Sequence, residues 1–187
     1  AKIDYIVAAG YKWLMGPYGL AFMYTNPTYH DNNIPLEFNW LNRKDSIHFN
    51  RLVNYRDEYD SGAIKFDMGG RSLFNTIPMG IASLKQILNW DVNNIYNTLK
   101  YYNNIIGEEL MDNGFDIIKN EDGYGHILGV IFNENDINVN QLLSKFKGNN
   151  IYVSIRGNAI RIAPHLHLRE HEYNFLVKCI LSVMKTN

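Results

Sequence analysis

A single cysteine, Cys179, leaves the chain without the means for an intrachain disulfide, and no run comes near the roughly 20 consecutive apolar residues of a membrane-spanning helix. Charge of one sign is equally scarce: 18 Lys and Arg stand against 19 Asp and Glu, interspersed, for a net charge of −1. That balance removes the electrostatic reason to expect a nucleic acid or an anionic membrane as partner. A secretory leader is lacking too, because Asp4 interrupts the stretch Ala1 to Gly10 that would have to be apolar, and there is no initiator methionine. The chain therefore reads as cytoplasmic and as beginning within a domain. Repeats and low-complexity tracts are absent, although asparagine is used heavily. What is present, among 187 residues, is 46% hydrophobic, 20% charged and 13% aromatic, enough to close a core.

Residues 2 to 8 read as a short buried strand and Leu20 to Tyr24 as another, joined by a loop too rich in glycine and proline to be regular. From Asn26 to Gly62 no period is sustained, and a loop of that length in a compact domain usually leans on something else. Apolar spacings near 3.6 predict a helix over Leu73 to Leu88 and a second over Asp91 to Met111, with Asp91 as N-cap and Gly114 as the stop. Phe115–Ile118, Ile127–Phe132, Asn138–Phe146, Ile151–Ile155, Ala159–Ala163 and Glu170–Lys185 then read as strand, strand, helix, strand, strand, helix. Such an order gives an α+β layer domain.

Chemistry concentrates at three places. The first is Gly10-Tyr11-Lys12-Trp13-Leu14-Met15-Gly16-Pro17-Tyr18-Gly19. A lysine between aromatics, directly after a strand and before a Gly-Pro-x-Gly loop, has its stem fixed by packing and its amine directed at a cavity, where it can act as nucleophile or base. The plainer alternative is a surface lysine lying over Tyr11 and Trp13. The second is Phe66-Asp67-Met68-Gly69-Gly70-Arg71-Ser72 ahead of a helix, a turn that either caps that helix or binds an anion. The third is Arg156-Gly157-Asn158-Ala159-Ile160-Arg161-Ile162-Ala163-Pro164-His165, with Arg161 between core-facing isoleucines. Arg156 is open to a second reading, a strand arginine paired with a surface acid.

These three segments, in this order, resemble the class V aminotransferase family, the fold-type I enzymes that use pyridoxal 5′-phosphate. The resemblance implies an α/β fold: residues 1–73 as the end of the cofactor-binding large domain, its sheet included, and residues 74–187 as linking helices and the small C-terminal α+β domain. It implies that Lys12 holds the cofactor as an aldimine and shuttles a proton, and that Arg161, with Arg156 beside it, binds the carboxylate of an amino-acid substrate. Gly69, Gly70, Arg71 and Ser72 correspond to a turn that reaches the cofactor phosphate of the partner subunit in related homodimers. The family's usual Gly-Thr pair is Gly69-Gly70 here, leaving the Gly70 N–H or the side chains of Arg71 and Ser72 to bind. The family's ring-nitrogen carboxylate and most of its phosphate ligands precede the lysine, so the missing N-terminal half of the large domain is an expected partner.

Related desulfurases place a catalytic cysteine shortly before the carboxylate-binding arginine, and none lies between Gly148 and Arg161. Amino transfer, epimerisation and β-elimination remain as activities, beside a non-catalytic dimerisation or binding module left from a truncated enzyme. His165, His167 and His171 lack the ligands to complete a zinc site. Gly123, Gly125 and Gly129 have a hairpin's spacing, not that of a dinucleotide fingerprint.

Overall fold

The computed structural model describes residues 2–51, 53–118, 125–132 and 137–183. The chain divides into two compact units, Ala1–Asn89 and Trp90–Asn187. The boundary falls later than the 73/74 division read from the sequence. Helix α1 (Thr76–Trp90) belongs mostly to the first unit, where Gly80 sits so close to Leu20 that a Cβ would come within 2.4 Å of its Cδ2.

In the first unit, β1 (Tyr5–Ala9) and β2 (Ala21–Thr25) form an antiparallel hairpin with Tyr5 opposite Thr25 and Ala9 opposite Ala21. The strand expected to be buried is instead exposed: Tyr5, Ile6 and Val7, with Phe22, Met23 and Tyr24 opposite, have no covering layer in this chain. A continuous apolar run marks a strand that needs cover on both faces, not one that has it.

The irregular stretch after β2 closes on itself through short 3-10 turns, three of which are Trp40–Asn42, Phe49–Arg51 and Gly62–Phe66. Asn42, fully buried, ties them together. Its amide donates to the carbonyls of Lys65, at 3.0 Å, and of Asp67, while its backbone carbonyl accepts from Asp60 N–H at 2.9 Å. Arg43 lies over the Tyr59 ring, 3.8 Å from its centroid, and pairs with Tyr59 through an isolated bridge. The segment expected to lean on another part of the protein thus has its own polar centre.

The second unit matches the sequence pattern closely. Its order is α2 (Val92–Asp112), β3 (Asp116–Ile118), β4 (Leu128–Ile131), α3 (Val139–Gly148), β5 (Ser154–Arg156), β6 (Ala159–Ile162) and α4 (Glu170–Leu181). The strands form one antiparallel sheet in the order β3-β4-β6-β5. Asp91 caps α2 as expected, accepting from the N–H groups of Asn93 at 2.8 Å and Asn94 at 3.1 Å. Gly114, at φ 86°, ends the turn beyond that helix in the left-handed region. Strand β5 begins three residues after the expected Ile151, and the expected end of the last helix, Lys185, lies outside the described residues.

One face of this sheet, carrying Leu128, Val130, Ile160 and Ile162, packs against Ile106 and Leu110 of α2, Leu142 and Phe146 of α3, and Tyr173, Val177 and Ile180 of α4. Cys179 is buried in the same cluster. Replacing Leu110, which is fully buried, with Ala should cost about 2–5 kcal/mol of stability in urea unfolding, the range for an apolar truncation that leaves a cavity. Burial, with smaller contributions from Tyr102 and Glu172, raises the Tyr173 hydroxyl to about 12. The folded state therefore holds this proton more tightly than the unfolded chain does, and stability present below pH 10 is lost as pH rises from 10 to about 12. Tyr173→Phe should flatten that part of the alkaline melting-temperature profile.

Candidate functional site

The loop that carries Lys12 is braced from within. Gly10 N–H donates to the Leu20 carbonyl at 2.9 Å, Gly16 N–H to the Gly10 carbonyl at 2.7 Å, and Met15 N–H to the Lys12 carbonyl at 2.9 Å. Two of its glycines are required by contact: a Cβ on Gly10 would meet the Leu20 oxygen at 2.6 Å, and one on Gly16 the Gly10 oxygen at 3.0 Å. Tyr11 and Tyr18 stack across the loop, centroids 4.4 Å apart, and the Lys12 Nζ lies 5.6 Å from the Tyr11 centroid. The amine is exposed and has no acidic partner among the described residues. The amine stands exposed among the described residues instead of inside the expected cavity, on a loop braced by its own backbone hydrogen bonds.

The glycine turn divides the residues expected to bind a phosphate. Gly69 N–H already donates to Glu37 Oε1 at 2.7 Å, and a Cβ at that position would sit 2.5 Å from the same oxygen. Arg71 is engaged as well. Its Nη1 donates to Asn42 Oδ1 at 3.0 Å, Asp67 Oδ2 at 3.3 Å and the Ile64 carbonyl at 3.4 Å, and its Nη2 donates to the Leu41 carbonyl at 3.2 Å. The guanidinium expected at the phosphate is thus held inside the unit. Gly70, at φ 68° with open space where a Cβ would be, and exposed Ser72 keep their donors clear.

Arg161 and Arg156 lie together in the second unit. Strand β6 alternates buried Ile160 and Ile162 with exposed Arg161, so Arg161 stands on the sheet face opposite the helices. Register places Gly129 and Ser154 on either side of it, and Arg156 opposite Ala159 on the same face. A cleft of about 520 Å³ opens there, lined by Ile118, His126, Ile127, Gly129 and the two arginines, among others. Arg161 has no hydrogen bond or ion pair with any described residue, and Arg156 donates only to the neighbouring Ile155 carbonyl, at 3.2 Å. The acid proposed as a surface partner for Arg156 is not found among them. Burial lowers the pKa of His126 at the cleft wall, favouring its neutral form.

Sequence reasoning missed Asn42 and Glu37, which have no motif, and the cleft, whose only sequence signal is a glycine in the middle of a strand. Among the described residues no group of three His, Cys, Asp or Glu is placed to hold a metal, and no helix is long and apolar enough to cross a membrane.

No family model and no curated protein matches the chain. Solved structures do. A variant of C-DES with glycine covalently linked to its PLP cofactor aligns with a TM-score of 0.82 at 14% identity, over 97% of this chain and 46% of that one. The cysteine desulfurase CsdA from Escherichia coli gives 0.75 at 15% identity, with the same coverage. Ureidoglycine-glyoxylate aminotransferase from Bacillus subtilis gives 0.62 at 13%, over 97% of this chain and 47% of that one. The chain spans about half the length of these structures. It has the fold of the C-terminal portion of the fold-type I, class V pyridoxal-phosphate-dependent enzymes, as the sequence resemblance implied.

If Arg71 serves the structure in the way its partners indicate, Arg71→Ala should destabilise the first unit by about 1.5–3 kcal/mol without any ligand, the range for losing hydrogen bonds to a charged group. Urea unfolding followed through Trp13 and Trp40 fluorescence reads this, and an unchanged midpoint would return Arg71 to the role of a spare ligand.

Proposed function

We propose that the chain is the C-terminal part of a pyridoxal-phosphate-dependent enzyme that transfers the amino group of an amino acid, with Lys12 as the residue that carries the cofactor. The observation that supports this most is the Lys12 loop: an exposed primary amine on a backbone fixed by three internal hydrogen bonds and two contact-limited glycines. Such a base gives an amine the fixed position that proton transfer at a substrate carbon demands.

The donors present fit the group in part. Lys12 supplies the amine, and the Gly70 N–H and the Ser72 hydroxyl are open to a phosphate, while Gly69 and Arg71 hold the turn in shape through Glu37 and Asn42. Bound pyridoxal phosphate supplies an electron sink for the carbanion at the substrate α-carbon. Lys12 Nζ, once released by the substrate's amine, would take the proton from the α-carbon and deliver it to the other end of the C=N bond, the net displacement that amino transfer requires. Arg161 holds the α-carboxylate through two parallel N–H donors, which fixes the substrate's orientation. The reading includes a homodimer in the cytoplasm, completed by the N-terminal half of the large domain.

Desulfuration needs a mobile thiol near Arg161. The stretch between Gly148 and Arg161 contains none, and Cys179 is 3% exposed within the core, which sets desulfuration aside and leaves lyase and epimerase chemistry as the alternatives to amino transfer. A different reading, a non-catalytic dimerisation or binding module, draws on the bare hairpin around Lys12.

Borohydride reduction of the cofactor-loaded full-length protein, followed by peptide mapping, decides between them. The pyridoxyl group should be found on Lys12. Its recovery on another lysine with Lys12 unmodified, or on none, overturns the proposal.

A further inference from the structure

The two arginines of the cleft differ from an ordinary surface pair in what surrounds them. They occupy diagonal positions on adjacent antiparallel strands, since Arg161 is opposite Ser154 and Arg156 opposite Ala159, a separation of roughly 7–8 Å. Like charges at that distance repel unless an anion lies between them or against both. The sheet offers no such anion. Asp116 is the one carboxylate on this face among the described strand residues, and register puts it in the row Asp116, Ile131, Ala159, Arg156. It is therefore three strands from Arg156, about 14 Å at the usual strand spacing.

Between the cations and the far wall the surface is apolar and low. Gly129, directly across from Arg161, has no side chain, and a Cβ there would meet Ile118 Cδ1 at 2.7 Å, closing the space. Ala159, Ile118, Ile127 and Ile160 add apolar lining, and His126 stands at the wall as the one further polar side chain lining the cleft. The Ser154 hydroxyl, on the same face beside Arg161, is buried without a hydrogen-bond partner among the described residues. A ligand that satisfies these features has two anionic ends, a short aliphatic spacer to lie over Gly129 and Ala159, and an acceptor for a hydroxyl.

We propose that the cleft selects an amino acid whose side chain ends in a second carboxylate, with Arg161 on one carboxylate and Arg156 on the other. This rests on the reading of Arg161 as the α-carboxylate ligand and adds to it a specificity-determining role for Arg156. Each arginine can present two parallel donors to a planar carboxylate. A monocarboxylic substrate of the same length would leave Arg156 unpaired.

The test needs no cofactor. Glutarate and butyrate, equal in spacer chemistry and differing in one carboxylate, are titrated against the 187-residue chain while the Nε–Hε resonances of Arg156 and Arg161 are followed by NMR. Glutarate should bind at least about tenfold more tightly than butyrate, the equivalent of about 1.4 kcal/mol, and should shift both resonances. Arg156→Gln should abolish the difference and leave butyrate binding intact, Arg156→Lys should restore part of it, and backbone amide dispersion reports whether each variant is folded. Equal affinities, or a preference that survives Arg156→Gln, overturn the inference while leaving Arg161 as a carboxylate ligand. Failure of both probes to shift Arg161 overturns the reading of Arg161 along with it.

Discussion

A long stretch of chain without helix or strand has to find partners for its backbone polar groups, and here one amide side chain supplies the centre of that solution. Asn42 is buried completely, where an unmet donor or acceptor costs on the order of 1–3 kcal/mol. Its amide reaches the carbonyls of Lys65 and Asp67, its oxygen receives the Arg71 guanidinium, and Arg71 in turn gathers Leu41, Ile64 and Asp67. Residues 41–42, residues 64–67 and Arg71, which share no ladder, are thereby held in one arrangement. The glycine turn at 69–70 inherits its position from this network, which is why the arginine inside the turn motif faces inward while the glycine and serine beside it stay open.

The second unit was readable because its two periods are clean. Residues 128–131 and 159–162 alternate, α2 and α4 repeat near 3.6, and both patterns point at the same core, so local preference and packing agree. Even the caps at Asp91 and Asn138 follow from side chains that can accept from a backbone N–H, the second accepting from Gln141 N–H at 3.1 Å. The first unit was less readable for a physical reason. Ile6, Val7, Phe22 and Met23 report by their character that they are to be covered, but not by what, and the cover does not come from this chain.

The site was legible in proportion to how local each residue's role is. Lys12 and Arg161 are set by their immediate neighbours, a glycine-bounded loop in one case and strand alternation in the other. The bonds of Arg71 to Asn42 and Leu41 were not legible, because these partners lie 29 and 30 residues away in the chain and nothing about Arg-Ser after two glycines announces them. Glu37 is the same kind of case, a carboxylate placed on the Gly69 N–H from a distant part of the chain. At identities of 13–17% with solved structures, the backbone course persists where most side chains differ.

Gly129 gives the cleft an evolutionary lever. A glycine codon is a single base change from alanine or valine, and either residue would project from the strand directly opposite Arg161 into Ile118. The sheet's other face, with its core of Val130 and Ile160, would be untouched, because neighbouring strand positions point opposite ways. Variation at this one position would thus narrow or reshape what lies against the arginines, with Ile118 the neighbour that has to give way and the core on the other face left in place.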